Sequence, residues 1–198
     1  MSSKSSAIEA NHHITEDLIK EEWQQVEAAR KDVNAFRPLY DKYFDRIFRF
    51  IYRRTENEEV TADLTSQTFL KALKKLDKYS FKGVPFSAWL YRIADNEVKA
   101  FYRLSFKKRV LSLDGEEIKA LAVEDSLPET QDFSKPLLKA LKKLKDLEVE
   151  VIELRFFEDK SFSEMAFILD KSEGSIKMKL YRALEKLKKY YEEYKSHD

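Results

Sequence analysis

Cysteine is absent from this chain, which excludes disulfide bridges, thiolate metal sites and a cysteine nucleophile. Glycine occurs 3 times and proline 4 times in 198 residues, too few to build the many turns of a β-sandwich or barrel. Long apolar runs are also missing. No stretch approaches the ~20 residues of a membrane-spanning helix, and Met1 to Thr15 lacks the apolar core of a secretory signal. A cytoplasmic protein without membrane insertion is the expectation. Histidine stands only at His12, His13 and His197, and neither a His-Glu-x-x-His pattern nor a glycine-rich phosphate loop occurs. Glu56, Glu58 and Glu59 cluster where a helix would begin, and the helix dipole accounts for them without acid-base chemistry. No catalytic residues, no metal and no cofactor are expected.

Charge is what the sequence has in excess. Charged residues make up 37% and hydrophobic residues 43%, which with so few breakers argues for an all-α fold of solvated helices. The formal net charge of +1 conceals a sharp division along the chain. Residues 1–33 carry net −3, residues 34–110 net +8, residues 111–134 net −6 and residues 135–198 net +2. The composition divides accordingly into an N-terminal extension with a helix (1–33), a basic helical domain (34–110), a flexible acidic linker (111–134) and a smaller helical domain (135–198). Such a linker could compete for the basic surfaces.

Apolar periodicity places the helices. Thr15 can cap a first helix with Leu18, Ile19, Trp23 and Val26 as a partial stripe. Phe36, Leu39, Tyr40, Tyr43, Ile47, Phe50 and Ile51 recur at steps of three and four, predicting one buried face over 34–53. Asn57 can start the next helix, with Val60, Leu64, Ala72, Leu73 and Leu76 facing the core, before Gly83 and Pro85 break the pattern. Phe86, Leu90, Ile93, Ala94 and Phe101 then predict a helix to about 105. The acidic segment allows one short helix near 116–121, and after Pro136 four short segments follow at 137–144, 147–157, 162–169 and 173–193.

Two of these helices carry surfaces suited to nucleic acid. Ser161 and Glu164 form a capping box, residues 170–173 make a turn that Ser172 can cap, and Gly174 leaves room at the start of a longer basic helix. That is the pattern of a helix-turn-helix. Ile176, Leu180, Ala183, Leu184 and Leu187 point inward, leaving Ser175, Lys179, Arg182 and Lys186 outside. Ser175 would permit close approach to base edges, while Lys177, Lys179 and Arg182 would neutralise phosphates. On the earlier helix, Trp89, Arg92, Asn96, Lys99 and Arg103 share a stripe outside the apolar face. Cations there can track a backbone, a ring can stack on a base and an amide can read a base edge. Tyr79, Phe81 and Phe86 enlarge the aromatic supply in a loop that could hold one unstacked base.

These residues together resemble the extracytoplasmic-function (ECF) class of bacterial RNA polymerase sigma factors, of the sigma-70 family. Phe36-Arg-Pro-Leu-Tyr40 resembles the family's opening segment, and Asp63-Leu-Thr-Ser-Gln-Thr-Phe69 resembles its D-L-V-Q-E-T-F signature. Pro85-Phe-Ser-Ala-Trp-Leu-Tyr-Arg-Ile-Ala-Asp-Asn96 is similar to P-F-x-x-W-L-x-x-I-A-x-N, and Leu154-Arg155, Ser161 to Ala166, Gly174 to Lys177 and Leu180 to Ala183 resemble the fourth conserved region.

The resemblance implies two helical domains, region 2 and region 4, on a flexible tether. It implies that Asp63, Ser66, Gln67 and Leu70 dock on core RNA polymerase. Phe81, Lys82, Trp89, Arg92, Asn96, Lys99 and Arg103 would bind the melted strand of the minus-10 promoter element. Ser172, Ser175, Lys177, Lys179 and Arg182 would read the duplex minus-35 element. The linker would thread into the polymerase, and an anti-sigma protein is a common partner in the family. Ser66 and Gln67 depart from the signature's Gln and acidic residue, and Lys145 stands where the family commonly has Pro. The alternative is a helix-turn-helix regulator that binds DNA without joining polymerase; it would act as a dimer on two half-sites and leaves the Asp63 stripe and the aromatic loop without a role.

Overall fold

The computed structural model describes residues 16–105 and 134–195, and its regular elements are all helical. A first bundle comprises α1 (Glu16–Lys31), α2 (Arg37–Thr55), α3 (Glu58–Lys74) and α4 (Phe86–Ser105). A second comprises α5 (Ser134–Lys142), α6 (Asp146–Phe156), α7 (Phe162–Leu169) and α8 (Glu173–Lys195). Short 3-10 turns occupy Val33–Phe36 and Leu76–Lys78. Among the described residues no helix is long and apolar enough to cross a membrane. Thr15, the acidic segment up to residue 133 and its short helix near 116–121 lie outside the described residues.

Local chemistry sets the helix ends. Asn57 Oδ1 accepts from the Val60 amide at 2.9 Å, starting α3 immediately after Glu56 has closed α2 in a left-handed conformation. The Ser161–Glu164 box is formed in both directions: the Glu164 amide donates to Ser161 Oγ (3.2 Å) and the Ser161 amide to Glu164 Oε2 (2.9 Å). Asp170, left-handed at φ 56°, ends α7, and Ser172 Oγ accepts from the Ser175 amide at 3.3 Å to begin α8. A Cβ added at Gly174 would meet nothing within 4 Å, so no contact inside the chain demands glycine there. Helix α5 starts two residues before Pro136, which sits in the first turn, where a missing N–H breaks no bond. The Lys145 amide, which a proline would lack, donates to Glu148 Oε2 at 3.0 Å.

The first core joins Leu39, Ile47, Phe50 and Ile51 of α2 to Leu64, Phe69 and Ala72 of α3 and to Phe86, Leu90, Ala94 and Val98 of α4. Tyr40, expected on the buried face of α2, is exposed. It heads an outer row of Tyr40, Phe44, Phe48 and Tyr52, whose successive rings lie 5.1, 6.0 and 6.4 Å apart at four-residue steps. Aromatic side chains thus line two adjoining faces of α2, and apolar content alone does not say which ring faces inward. In the second bundle α8 is the spine: Ile176, Leu180, Ala183 and Leu187 are buried, and it packs on α5, α6 and α7. The bundles are in contact, α4 lying directly against α7.

Helix α1 fastens the loop that precedes α4. Arg30 Nε donates to the Leu76 carbonyl at 3.1 Å and a terminal nitrogen of the same guanidinium donates to the Tyr79 carbonyl. Buried Glu22 accepts from the Phe86 amide at 3.2 Å, from Lys42 Nζ at 2.8 Å and from the Tyr43 hydroxyl. Trp23 closes over the loop with its ring 5.9 Å from Tyr79 and 6.2 Å from Phe81.

Two outcomes follow from these contacts. Arg30→Ala should raise amide hydrogen exchange across residues 76–86 while leaving α2 and α3 protected, because it removes donors to loop carbonyls and little core. Ser161→Ala should lower stability in a denaturant titration by about 1 kcal/mol, the usual worth of an N-cap side chain.

Candidate nucleic-acid interface

The aromatic loop and the outer stripe of α4 meet at Trp89. Its ring packs 4.7 Å from Tyr79 and 5.6 Å from Phe86, so the indole is half-buried within a cluster. Phe81 is 47% exposed and Lys82 is exposed beside it, on a turn that passes through Gly83 at φ 74°. That positive φ favours glycine. The Tyr79 hydroxyl is pushed up to about 12, chiefly by burial and secondarily by the Glu22 carboxylate, and so stays neutral. Further along α4, Asn96 and Arg103 are exposed.

The remaining two cations of the stripe are engaged by the second bundle. Arg92 Nη2 lies 3.0 Å from Asp170 Oδ1, Nη1 donates to the Phe167 carbonyl at 3.2 Å, and the guanidinium sits 5.2 Å from the Phe167 ring centre. Lys99 Nζ bridges two carboxylates, Asp95 on its own helix at 2.6 Å and Glu150 of α6 at 3.2 Å. Burial drives the Asp95 carboxyl above its ordinary range, and Glu150 adds to the effect.

On the helix-turn-helix, Ser172 and Ser175 are exposed around the α8 N-terminus and Arg182 is exposed two turns later. Lys179 is half-buried, and Lys177 reaches 5.5 Å over the Phe162 ring. Lys186, the last residue of the predicted outer face, is tied to Glu148 of α6 at 2.6 Å and serves the bundle. Met178, 54% exposed between Lys177 and Lys179, adds an apolar contact surface that the charge pattern did not reveal. On the first bundle, Asp63, Ser66, Gln67 and Leu70 are all exposed along α3, Leu70 by 51%.

Sequence reasoning missed a further set of residues, buried where the bundles meet. Arg54 and Glu153 are both fully buried, paired at 2.6 and 2.7 Å, and Arg54 Nη1 also donates to the Phe50 carbonyl at 2.8 Å with its guanidinium 3.5 Å above the Phe50 ring. Arg53 Nε is 3.3 Å from Glu153, and its guanidinium pairs with Glu158. Glu158 also accepts from the Tyr91 hydroxyl, whose ionisation burial drives beyond the ordinary tyrosine range. Lys160 inserts from the turn between α6 and α7, 4.4 Å over the Tyr91 ring and 3.3 Å from Ser87 Oγ, and burial lowers its proton affinity. The signal was available: Glu148, Glu150, Glu153 and Arg155 alternate with apolar residues in α6 and leave it no separate polar face, and all four are buried.

Comparison with known proteins agrees with this architecture. Residues 39–105 match the family model for Sigma-70 region 2, and residues 140–189 match that for Sigma-70, region 4. The chain is 37% identical over 160 residues to the ECF RNA polymerase sigma factor BldN of Streptomyces coelicolor, a match covering 79% of this chain and 60% of BldN. It is 34% identical over 164 residues to the RNA polymerase sigma factor YlaC of Bacillus subtilis, covering 80% of this chain and 93% of YlaC. The fold is shared with the sigma factor RpoE of Bartonella quintana, solved in complex with the anti-sigma factor NepR. There the TM-score is 0.58 at 23% identity, covering 79% of this chain and 96% of RpoE. Two helical bundles matching regions 2 and 4, in this order and over most of both chains, establish that the protein belongs to the sigma-70 family of RNA polymerase sigma factors, in its ECF class.

Proposed function

We propose that the chain directs core RNA polymerase to promoters by dividing recognition between its bundles, the first taking the melted minus-10 strand and the second the duplex minus-35 element. The observation that carries this reading is the joint presence of a braced aromatic loop beside α4 and a capped α7–turn–α8 unit. One offers rings to unstacked bases; the other offers a helix of groove-filling diameter. In this reading the exposed α3 stripe of Asp63, Ser66, Gln67 and Leu70 docks on polymerase. Phe81, Lys82, Trp89, Arg92, Asn96, Lys99 and Arg103 bind the opened strand, and Ser172, Ser175, Lys177, Lys179 and Arg182 bind the duplex. An anti-sigma protein is a fitting partner, as it is for RpoE of Bartonella quintana.

No bond is made or broken by the protein. Contacts to two elements, held on one machine, offset the few kcal/mol needed to unstack and extrude bases. Arg182 and Lys179 supply phosphate neutralisation without sequence information, whereas an exposed amide such as Asn96 can pair with a base edge.

Transcription by core polymerase on a promoter library, with start sites sequenced, tests the reading. Specific starts that require the chain are expected, and failure to bind core polymerase would refute it. Asn96→Ala should relax base preference at one melted position by about 1–3 kcal/mol, the worth of a bidentate base contact. Lys179→Ala should weaken binding evenly across sequences and reduce the salt slope by about 1.

A further inference from the structure

The outermost line of α8 differs from the one its charges suggest. Ser175, Met178 and Arg182 are exposed and follow one another at steps of three and four, on the side away from buried Ile176, Leu180, Ala183 and Leu187. Lys179 is half-buried on one flank of that line, Lys177 lies on the other flank over the Phe162 ring, and Lys186 is held by Glu148. Met178 therefore stands at the centre of the line, 54% exposed. At a rise of 1.5 Å per residue it is about 4.5 Å along the axis from Ser175 and about 6 Å from Arg182. Single exposed apolar residues are common on protein surfaces; this one stands where a helix laid in a groove meets the bases.

The path from Met178 to a base edge is open. Residues 174 and 178 lie on one face, and a helical side chain leans toward the N-terminal turn, so Met178 extends over position 174. That position is glycine, and a Cβ placed there would meet neither the Met178 side chain nor any other group beyond its chain neighbours within 4 Å. The thioether thus stands clear of the preceding turn instead of folding onto it, and the absent side chain lets the backbone come close to a ligand.

The chemistry of the side chain selects the base. In the major groove guanine presents two acceptors, cytosine an amine donor, adenine one of each, and thymine an acceptor beside a methyl group. A thioether has no hydrogen to donate and its sulfur accepts weakly, so against the first three it buries polar atoms without partners. Against thymine it covers a methyl, and its unbranched, polarizable chain adapts to that shape. Lys177 and Lys179, on the two flanks, hold phosphates alike for every sequence.

We infer that Met178 is a specificity-determining residue of the duplex-reading helix, seated against the 5-methyl group of a thymine in the minus-35 element. The inference deepens the promoter reading above and rests on it.

The test uses holoenzyme assembled from the full chain and core polymerase, selecting from promoter duplexes randomised through the minus-35 element. The parent should retain thymine at one pair. Met178→Ala should lose that preference alone and keep selection at the other pairs, whereas Met178→Leu, which is also apolar, should retain it. Both substitutions place good helix formers at an exposed position, so α8 is preserved. Deoxyuridine in place of the selected thymine removes only the methyl. Affinity should then fall about fourfold for the parent, the worth of one buried methyl, and stay unchanged for Met178→Ala. Lys179→Ala should weaken all duplexes alike while the preferred bases remain the same.

A selected element without thymine would overturn the inference and leave the promoter reading in place. So would thymine retained in Met178→Ala, thymine lost in Met178→Leu, or equal affinity of the parent for thymine and deoxyuridine at every pair. A parent holoenzyme that selects no upstream sequence refutes the promoter reading itself, and the inference with it.

Discussion

The deepest link between the two bundles is the pair of Arg54 and Glu153, two opposite charges removed entirely from water. Such a pair costs several kcal/mol per ion in lost hydration, repaid only when geometry is tight and the remaining donors are satisfied. Here Glu153 is approached by both Arg53 and Arg54, and Arg54 spends further bonding capacity on the Phe50 carbonyl and sits 3.5 Å from the Phe50 ring centre. The pair fixes a register more than it adds stability. It sets the last turn of α2 against the C-terminal half of α6, beside the packing of α7 on α4.

A different kind of constraint governs the reading loop. Residues 79–85 have no regular structure of their own, and a loop of that kind recognises poorly unless something holds it. Helix α1 does so from outside, taking the Leu76 and Tyr79 carbonyls with Arg30 and the Phe86 amide with Glu22. Polar groups that the loop cannot pair internally are thereby satisfied, and its aromatic rings are held in a common cluster with Trp23 and Trp89. The segment that precedes the first conserved motif is thus a brace for the surface proposed to meet single strands.

Much of this was legible in the amino-acid order. Three-and-four periodicity located α2 and α4 within a few residues, and both caps around the helix-turn-helix were readable because serine and glutamate at a helix start have few other ways to pair than with the nearby free amides. Tyr40 was misplaced because α2 is aromatic on two adjoining faces, and Lys186 because a basic face gives no sign of which lysine a neighbouring helix will take. The buried charges between the bundles went unread for a deeper reason. Arg53 lies 100 residues from Glu153 in sequence, and no periodicity relates it to Glu153 or Glu158; only the contact of two separately patterned units brings them together. What could be read was the anomaly, three carboxylates among the apolar residues of α6, without the identity of what they would face.

Helix α7 has an unusual position, with one flank against α8 and the other against α4. Those eight residues therefore answer to two sets of neighbours at once: a larger or smaller side chain on either flank shifts the helix that follows in sequence and the helix of the other bundle together.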